Sequence, residues 1–226
     1  MRASSNTTDV EVFSRKRREM VKHQVVRRGV TNCRVLDAML LVPREEFVPT
    51  LFRRDAYADN ALPIEYGQTI SQPFTVAYMA QALDLDGSEQ VLEIGTGSGY
   101  AAAVLSRVAR TVHTIERIPE LGRQAKQRLK RLGYANVHVH IGDGSRGLPE
   151  FAPFDAIVAA ACAMVLPEPY IQQVADGGRI VIPIGTSMRQ SLCRFTRRGA
   201  KLAREDLGEF AFVPLISQPN QEDGGL

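Results

Sequence analysis

The chain has 226 residues, 44% hydrophobic and 23% charged, the make-up of a folded globular protein that needs no disulfide or metal staples. Its net charge of +3 is too small for the basic footprint of a nucleic-acid binder. No apolar run approaches the roughly 20 residues that span a bilayer, and MRASSNTTDV lacks the apolar stretch of a secretory signal, so no membrane contact and a cytoplasmic setting are expected. Cys33, Cys162 and Cys193 stand far apart, in neither C-x-x-C nor zinc-ligand spacing, and read as free thiols with no bound metal.

Residues 1–13 are polar and without periodicity, so they read as a disordered tail before one domain of residues 14–226. That domain divides into a helical N-terminal portion, 14–88, and a core, 89–226. A first helix is predicted from Ser14 to Arg28, with Met20, Val21 and Val25 on its apolar face and Gly29 as C-cap. Its basic run, Arg15 to Arg18, reads as a solvated face. Asn32 caps a second helix whose stripe is Val35, Leu36, Met39 and Leu40 and which Pro43 ends. A polar stretch follows through Gly67-Gln68-Thr69-Ile70-Ser71-Gln72-Pro73, and Pro73 opens a helix of Phe74 to Leu83.

From Val91 onward short apolar runs alternate with helical stretches, the pattern of a parallel sheet covered on both faces. The predicted strands are Val91–Ile94, Thr111–Glu116, Val137–Ile141, Ala156–Ala160 and Arg179–Ile184, then an antiparallel end built from Leu192–Arg197 and Phe210–Leu215. Between the second and third lies a helix with Pro119 in its first turn, Leu121, Ala125, Leu129 and Leu132 on one face, and Gly133 closing it. The fold class is α/β, a mostly parallel doubly wound sheet.

The stretch Val91-Leu92-Glu93-Ile94-Gly95-Thr96-Gly97-Ser98-Gly99-Tyr100 carries a buried strand into alternate glycines, which let the backbone turn and approach a ligand. The spacing is G-x-G-x-G, not the dinucleotide G-x-G-x-x-G, and the acidic Glu93 serves a pyrophosphate poorly. A ligand with an ammonium and a sulfonium is served well, which points to S-adenosylmethionine with its homocysteine moiety against Gly95, Thr96 and Gly97. Glu116, ending the next strand, is placed to accept both ribose hydroxyls, and Asp143 of Gly142-Asp143-Gly144 to accept the adenine amino group. Glu116 would serve an NAD ribose equally well, so only the spacing and Glu93 disfavour an oxidoreductase. Thr69, Ser71 and Gln72 stand at a helix N-terminus that suits a carboxylate, while simple capping by Ser71 or Gln72 fits the same residues as well.

Through MVKHQVVRRGV, RVLDAMLLVPREEFVP, LPIEYGQTISQP, VLEIGTGSGY, VHTIERIPEL, NVHVHIGDG, APFDAIV, GGRIVIPIG and FVPL, the chain resembles the protein-L-isoaspartate O-methyltransferases from about Met20 to Leu215. The glycine loop is common to many class I methyltransferases, whereas GQTISQP and VPREEFVP are specific to this family. The resemblance implies a Rossmann-like class I fold and methyl transfer to the free carboxylate of isoaspartyl residues in damaged proteins and peptides, leaving S-adenosylhomocysteine. It puts the active-site serine on Ser71 and cofactor contacts on Thr69, Ile70, Ser71, Gln72, Glu93, Gly95, Gly97, Glu116, Asp143 and Gly144. A carboxylate acceptor is already ionised at neutral pH, so no general base is required.

The chain departs from the family pattern at Asn60, often Pro, and in Ala159 to Met164, which follows the fourth strand on the substrate side. Those departures keep a second reading open, a related carboxyl methyltransferase acting on another peptide carboxylate. A cofactor-binding module without activity is disfavoured by the intact GQTISQP block. His138 and His140 share a strand face but show no third ligand, and Cys162 has no neighbouring base, so these read as ordinary strand and packing residues.

Overall fold

The computed structural model describes residues 3–186 and 188–216, with side chains described from Asp9 onward. Helix α1 spans Ala3–Met20 and so begins well before Ser14. The expected tail is thus helical from Ala3, while Met1 and Arg2 lie outside the described residues. Phe13 supplies the missing anchor: it is partly buried and its ring lies 6.4 Å from that of Tyr57. Phe13 stands with Val10 and Val12 at the end of a polar stretch, too short an apolar run to show helical periodicity. Arg17 likewise leaves the solvated face, its side chain only 14% exposed, to pair with Glu45 at 3.0 Å and donate to the Tyr57 hydroxyl.

Past Met20 the helix loosens into a π turn, Val21–Val25, and a 3-10 turn, Val26–Arg28, that stops at Gly29 with φ +93°. Helix α2, Cys33–Leu41, is capped as expected by Asn32, whose side chain accepts from the Val35 N–H at 3.2 Å. The polar block, expected without regular structure, holds a small antiparallel pair, β1 (Leu62–Pro63) and β2 (Thr69–Ile70). Its turn carries Tyr66 at φ +59°, a left-handed conformation uncommon outside glycine. Helix α3, Pro73–Ala82, follows with proline in its first turn.

The core is one sheet of β3 (Gln90–Ile94), β4 (Thr111–Glu116), β5 (Val137–Ile141), β6 (Phe154–Ala159), β7 (Val174–Gly185), β8 (Gln190–Arg198) and β9 (Lys201–Glu209). Helices α4 (Tyr100–Leu105), α5 (Pro119–Arg131) and α6 (Glu168–Gln173) connect its strands. Strand order is β5-β4-β3-β6-β7-β8-β9, parallel from β5 to β7 and antiparallel at β8 and β9. This is the Rossmann-like class I methyltransferase architecture. Alternate residues feed two clusters: Val91, Val112, Val158 and Val181 join the N-terminal helices, while Leu92, Ile157 and Ile180 pack with Phe154 and Tyr170. Strands buried on both faces explain their near-continuous apolar runs.

The antiparallel end differs from expectation. The last strand is the polar KLAREDLGE segment, not Phe210–Leu215. Being a largely exposed edge, with only Leu202 and Leu207 partly buried against the core among its described residues, it shows no apolar alternation. The apolar run after it turns back: Cys162 N–H donates to the Val213 carbonyl at 2.8 Å, and Leu215 N–H to the Cys162 carbonyl at 2.7 Å. Strand β7 also starts earlier than Arg179, through a Gly-containing stretch that reads as loop. Among the described residues no helix is long and apolar enough to cross a membrane.

One buried cation ties the polar block to the core. Arg44 is fully buried beneath Tyr100, its guanidinium carbon 4.7 Å from the ring centroid. Its Nε donates to the Ala56 carbonyl at 2.7 Å and a terminal nitrogen to the Ser71 carbonyl at 2.9 Å. A lysine ammonium, a point charge without the planar fork, cannot span both carbonyls. Arg44→Lys should therefore lower the unfolding free energy by about 2 to 4 kcal/mol in urea denaturation. An unchanged midpoint would show that the two carbonyls find other donors.

Candidate active site

A cavity of about 950 Å³ opens where strand order reverses, outside the carboxyl ends of β3, β4 and β6. Such switch points are where doubly wound sheets bind ligands. The glycine loop forms one wall. Gly95 and Gly97 have φ of +93° and +53°, and a Cβ built on either meets no protein atom nearer than 3.6 Å. Glycine is needed there for the backbone conformation, and the space above it is left to a ligand. The loop hangs from β4, with Gly95 N–H donating to the Ile115 carbonyl at 2.9 Å.

Glu116 lines the cavity and holds the loop closed. Its carboxylate accepts the Gly97 N–H and the Ile118 N–H, both at 2.9 Å. A carboxylate has about four acceptor positions, and backbone N–H groups fill two of them here. Glu93 is placed otherwise than expected. It is 1% exposed and does not line the cavity; it lies beneath the loop, where Thr114 Oγ1 donates to it at 2.5 Å. Burial, with the nearby Glu116 charge adding to it, outweighs the Thr114 bond and pushes its pKa from 4.5 to about 8. Hydroxyls link it to the cavity, since Thr96, on the cavity wall, meets Thr114 Oγ1 to Oγ1 at 2.7 Å. An ion pair between Glu93 and a ligand ammonium does not follow from this arrangement.

The opposite wall comes from Thr69, Ile70, Ser71 and Gln72, which line the same cavity. Gln72 is the N-cap residue of α3, yet no side chain caps that helix. Its amide donates instead to Asp59, to Oδ1 at 2.8 Å and to the carbonyl at 3.0 Å. Simple capping by Ser71 or Gln72 is thus not what these residues do. The segment is fixed by Arg44 on the Ser71 carbonyl, and Ser71 itself lines the cavity.

Gly144 lines the cavity while Asp143 does not; the Asp143 carboxylate accepts the Ser145 N–H at 2.9 Å and its hydroxyl at 2.7 Å, as the cap of a 3-10 turn. Tyr170 and Gln173 brace that turn through the Gly144 and Arg146 carbonyls. Of the segment where the chain departs from the family pattern, Ala160 and Ala161 line the cavity, as does Asn60. Cys162 is buried, and burial raises its thiol pKa, as suits a packing residue. His138 and His140 do meet a third histidine, His113, whose Nδ1 lies 3.1 Å from His140 Nε2. Among the described residues no group of three His, Cys, Asp or Glu has a metal-holding arrangement. Sequence reasoning missed Arg28, Asp59, Phe210 and Phe212 on the cavity wall. The apolar FAFVPLI run was the one visible signal, and it was read as strand.

The model of the protein-L-isoaspartate(D-aspartate) O-methyltransferase family matches residues 15–220. The chain belongs to that family. Protein-L-isoaspartate O-methyltransferase 2 of Pelobacter propionicus is 54% identical over 203 residues, 88% of this chain and 90% of its own. The Roseiflexus castenholzii protein-L-isoaspartate O-methyltransferase is 52% identical over 90% of this chain and 93% of its own. A solved protein-L-isoaspartate O-methyltransferase matches with a TM-score of 0.79 at 33% identity, over 88% of this chain and 65% of that one. A second, from Plasmodium falciparum in complex with S-adenosyl-L-homocysteine, has a TM-score of 0.75 over 89% of this chain, and at 24% identity it speaks to the fold.

In this protein-L-isoaspartate O-methyltransferase family member, the buried Glu93 carboxyl sets a stability trend. Its folded pKa is raised, so stability is full below about 4.5 and is lost as pH rises to about 8, where the unfolded chain is ionised and the folded chain is not. Glu93→Gln, neutral throughout, should gain in melting temperature relative to the unaltered protein across that window. Parallel melting curves from pH 4.5 to 8 check this; a constant difference would mean that Glu93 is ionised when folded.

Proposed function

We propose that this chain transfers a methyl group from S-adenosylmethionine to the free carboxylate of L-isoaspartyl residues in damaged proteins and peptides. The ester then closes to a succinimide that reopens partly as normal aspartate, which starts repair. The observation that carries the reading is that Ser71, the glycine loop and Glu116 line one cavity. The fit of the cofactor rests on the open cradle over Gly95 and Gly97 and on the acceptor capacity left on Glu116. When bound there, S-adenosylmethionine supplies a methyl group on a cationic sulfur.

Gly95, Thr96 and Gly97 would receive the homocysteine moiety, Glu116 the ribose hydroxyls and Gly144 the adenine; all of them line the cavity. Glu93 acts on the loop through Thr114 and Thr96, and Asp143 shapes the turn that presents Gly144. Thr69, Ile70 and Gln72 form the facing wall, and the Ser71 hydroxyl orients the acceptor carboxylate. No residue has to remove a proton, because the acceptor is already an anion. The cavity's work is alignment and exclusion of water, with the reacting atoms held at roughly 3 to 3.5 Å. Residues 14–226 act as one methyltransferase domain in this reading, since the helical portion brings Ser71 to a loop of the core. A cytoplasmic setting belongs to the same proposal and agrees with three cysteines held as free thiols. The alanines at Ala160 and Ala161 on the cavity wall favour one further comparison, a peptide with ordinary aspartate as acceptor.

The test is a methylation assay on an isoaspartyl peptide beside its aspartyl counterpart; equal transfer to both would replace isoaspartate with a broader acceptor class. Ser71→Ala should fold normally, because Arg44 grips its backbone, and should lower kcat/KM by about ten- to a hundredfold, equivalent to roughly 1.4 to 2.7 kcal/mol. Its affinity for S-adenosylhomocysteine should change much less; a loss confined to that affinity would move Ser71 to the cofactor. Glu116→Gln turns an amide toward backbone donors and should weaken S-adenosylhomocysteine by about 2 kcal/mol, roughly thirtyfold, in calorimetry. Unchanged binding would remove Glu116 from the ribose site.

A further inference from the structure

Arg28 stands at the cavity wall, outside every motif that marks the cofactor. It ends the first helical stretch, just before the left-handed Gly29. Its guanidinium carbon lies 3.8 Å from the centroid of the Phe74 ring, so the cation sits over an aromatic face. Phe74 in turn stacks on Tyr78 and Phe210, with centroids 5.3 Å and 6.2 Å away. The cation is therefore held against that aromatic cluster, and the side chain is still 43% exposed. Its one ionic partner, Asp59, is 3.5 Å away, longer than a charged hydrogen bond. The same Asp59 oxygen already accepts from Gln72 at 2.8 Å. Among the described residues no hydrogen bond engages the Arg28 guanidinium. A fork of five N–H donors, pre-oriented and unspent, on the wall that carries Ser71, matches the geometry of a carboxylate.

Two other charged groups on that wall have to be weighed. Arg117 follows Glu116 directly and belongs to the ribose end. Glu209 is engaged by Arg189 at 2.9 Å and cannot attract an anion. Arg28 is left as the cation for the acceptor half of the cavity.

We propose that Arg28 is a specificity-determining residue for the acceptor, pairing with one oxygen of its free carboxylate while the other faces the methyl donor beside Ser71. The inference rests on the isoaspartyl reading above and deepens it. It has a consequence for turnover: the product ester is neutral, so the ion pair that admits the substrate is absent from the product. Asp59, bound to Gln72, keeps Arg28 near the segment of Ser71 in the meantime.

The experiment compares binding of two peptides in the presence of S-adenosylhomocysteine, one with an isoaspartyl α-carboxylate and one with the corresponding α-carboxamide. The unaltered protein should prefer the carboxylate by about tenfold or more, and Arg28→Gln should abolish the preference, as loss of a charged hydrogen bond does. Arg28→Lys should restore part of it. KM for the isoaspartyl peptide should rise in Arg28→Gln with kcat less affected, and S-adenosylhomocysteine affinity should hold. If Arg28→Gln keeps the preference, or loses kcat and melting temperature with KM unchanged, Arg28 is a strut against Phe74 and the assignment falls. If the unaltered protein methylates no isoaspartyl peptide and shows no preference, the acceptor reading falls first and takes the assignment with it.

Discussion

The site depends on a buried guanidinium. The wall that carries Ser71 is no part of the main sheet; it is a polar crossing with a two-residue strand pair and a left-handed Tyr66. Such a segment has too few backbone partners of its own to stay in one place. Arg44 supplies them from inside, bridging the carbonyls of Ala56 and Ser71 under the Tyr100 ring. A buried cation costs desolvation, so its return is geometric: one planar group fixes two points of the chain at once. The flanking Glu45, reached by Arg17 and Tyr57, extends the same grip to α1. The N-terminal helices are in this sense the mounting of the acceptor wall.

The glycine-loop wall rests on a different constraint, two glutamates in different surroundings. Glu116 sits at the cavity and its carboxylate accepts two backbone N–H groups. Glu93, a strand width away, is stripped of water and favours its proton. The hydroxyls of Thr114 and Thr96 form a polar path between the buried group and the cavity.

The parts that were legible in the sequence are those that local pattern controls. The bounds of β4 and β5 and the cap at Asn32 follow from apolar runs and one side-chain acceptor, and the structure has them where the residues put them. The order Gly95, Glu116, Gly144 was readable because a parallel sheet must present successive strand ends at one edge. What stayed hidden depends on contacts between distant segments. Nothing in VLEIG distinguishes a glutamate beneath the loop from one above it, because alternation decides the face and the neighbouring Thr114 decides the burial. Arg28 meets Asp59 and Phe74 only after the chain has folded, and neither pairing leaves a trace in spacing. Strand β9 was hidden for the opposite reason, since its pattern is that of a surface.

That polar last strand bears on the company this protein keeps. Lys201, Arg204, Glu205, Asp206 and Glu209 crowd one margin of the sheet, with Arg194 and Arg189 reaching across to Glu205 and Glu209. A damaged polypeptide is apt to be partly unravelled, and an unravelled segment will zip onto any bare margin whose amides are unclaimed. Charges of both signs along the margin make such zipping expensive, because joining would strip their water. A frayed client is thereby discouraged from sticking at the flank and is left to engage where the chemistry is.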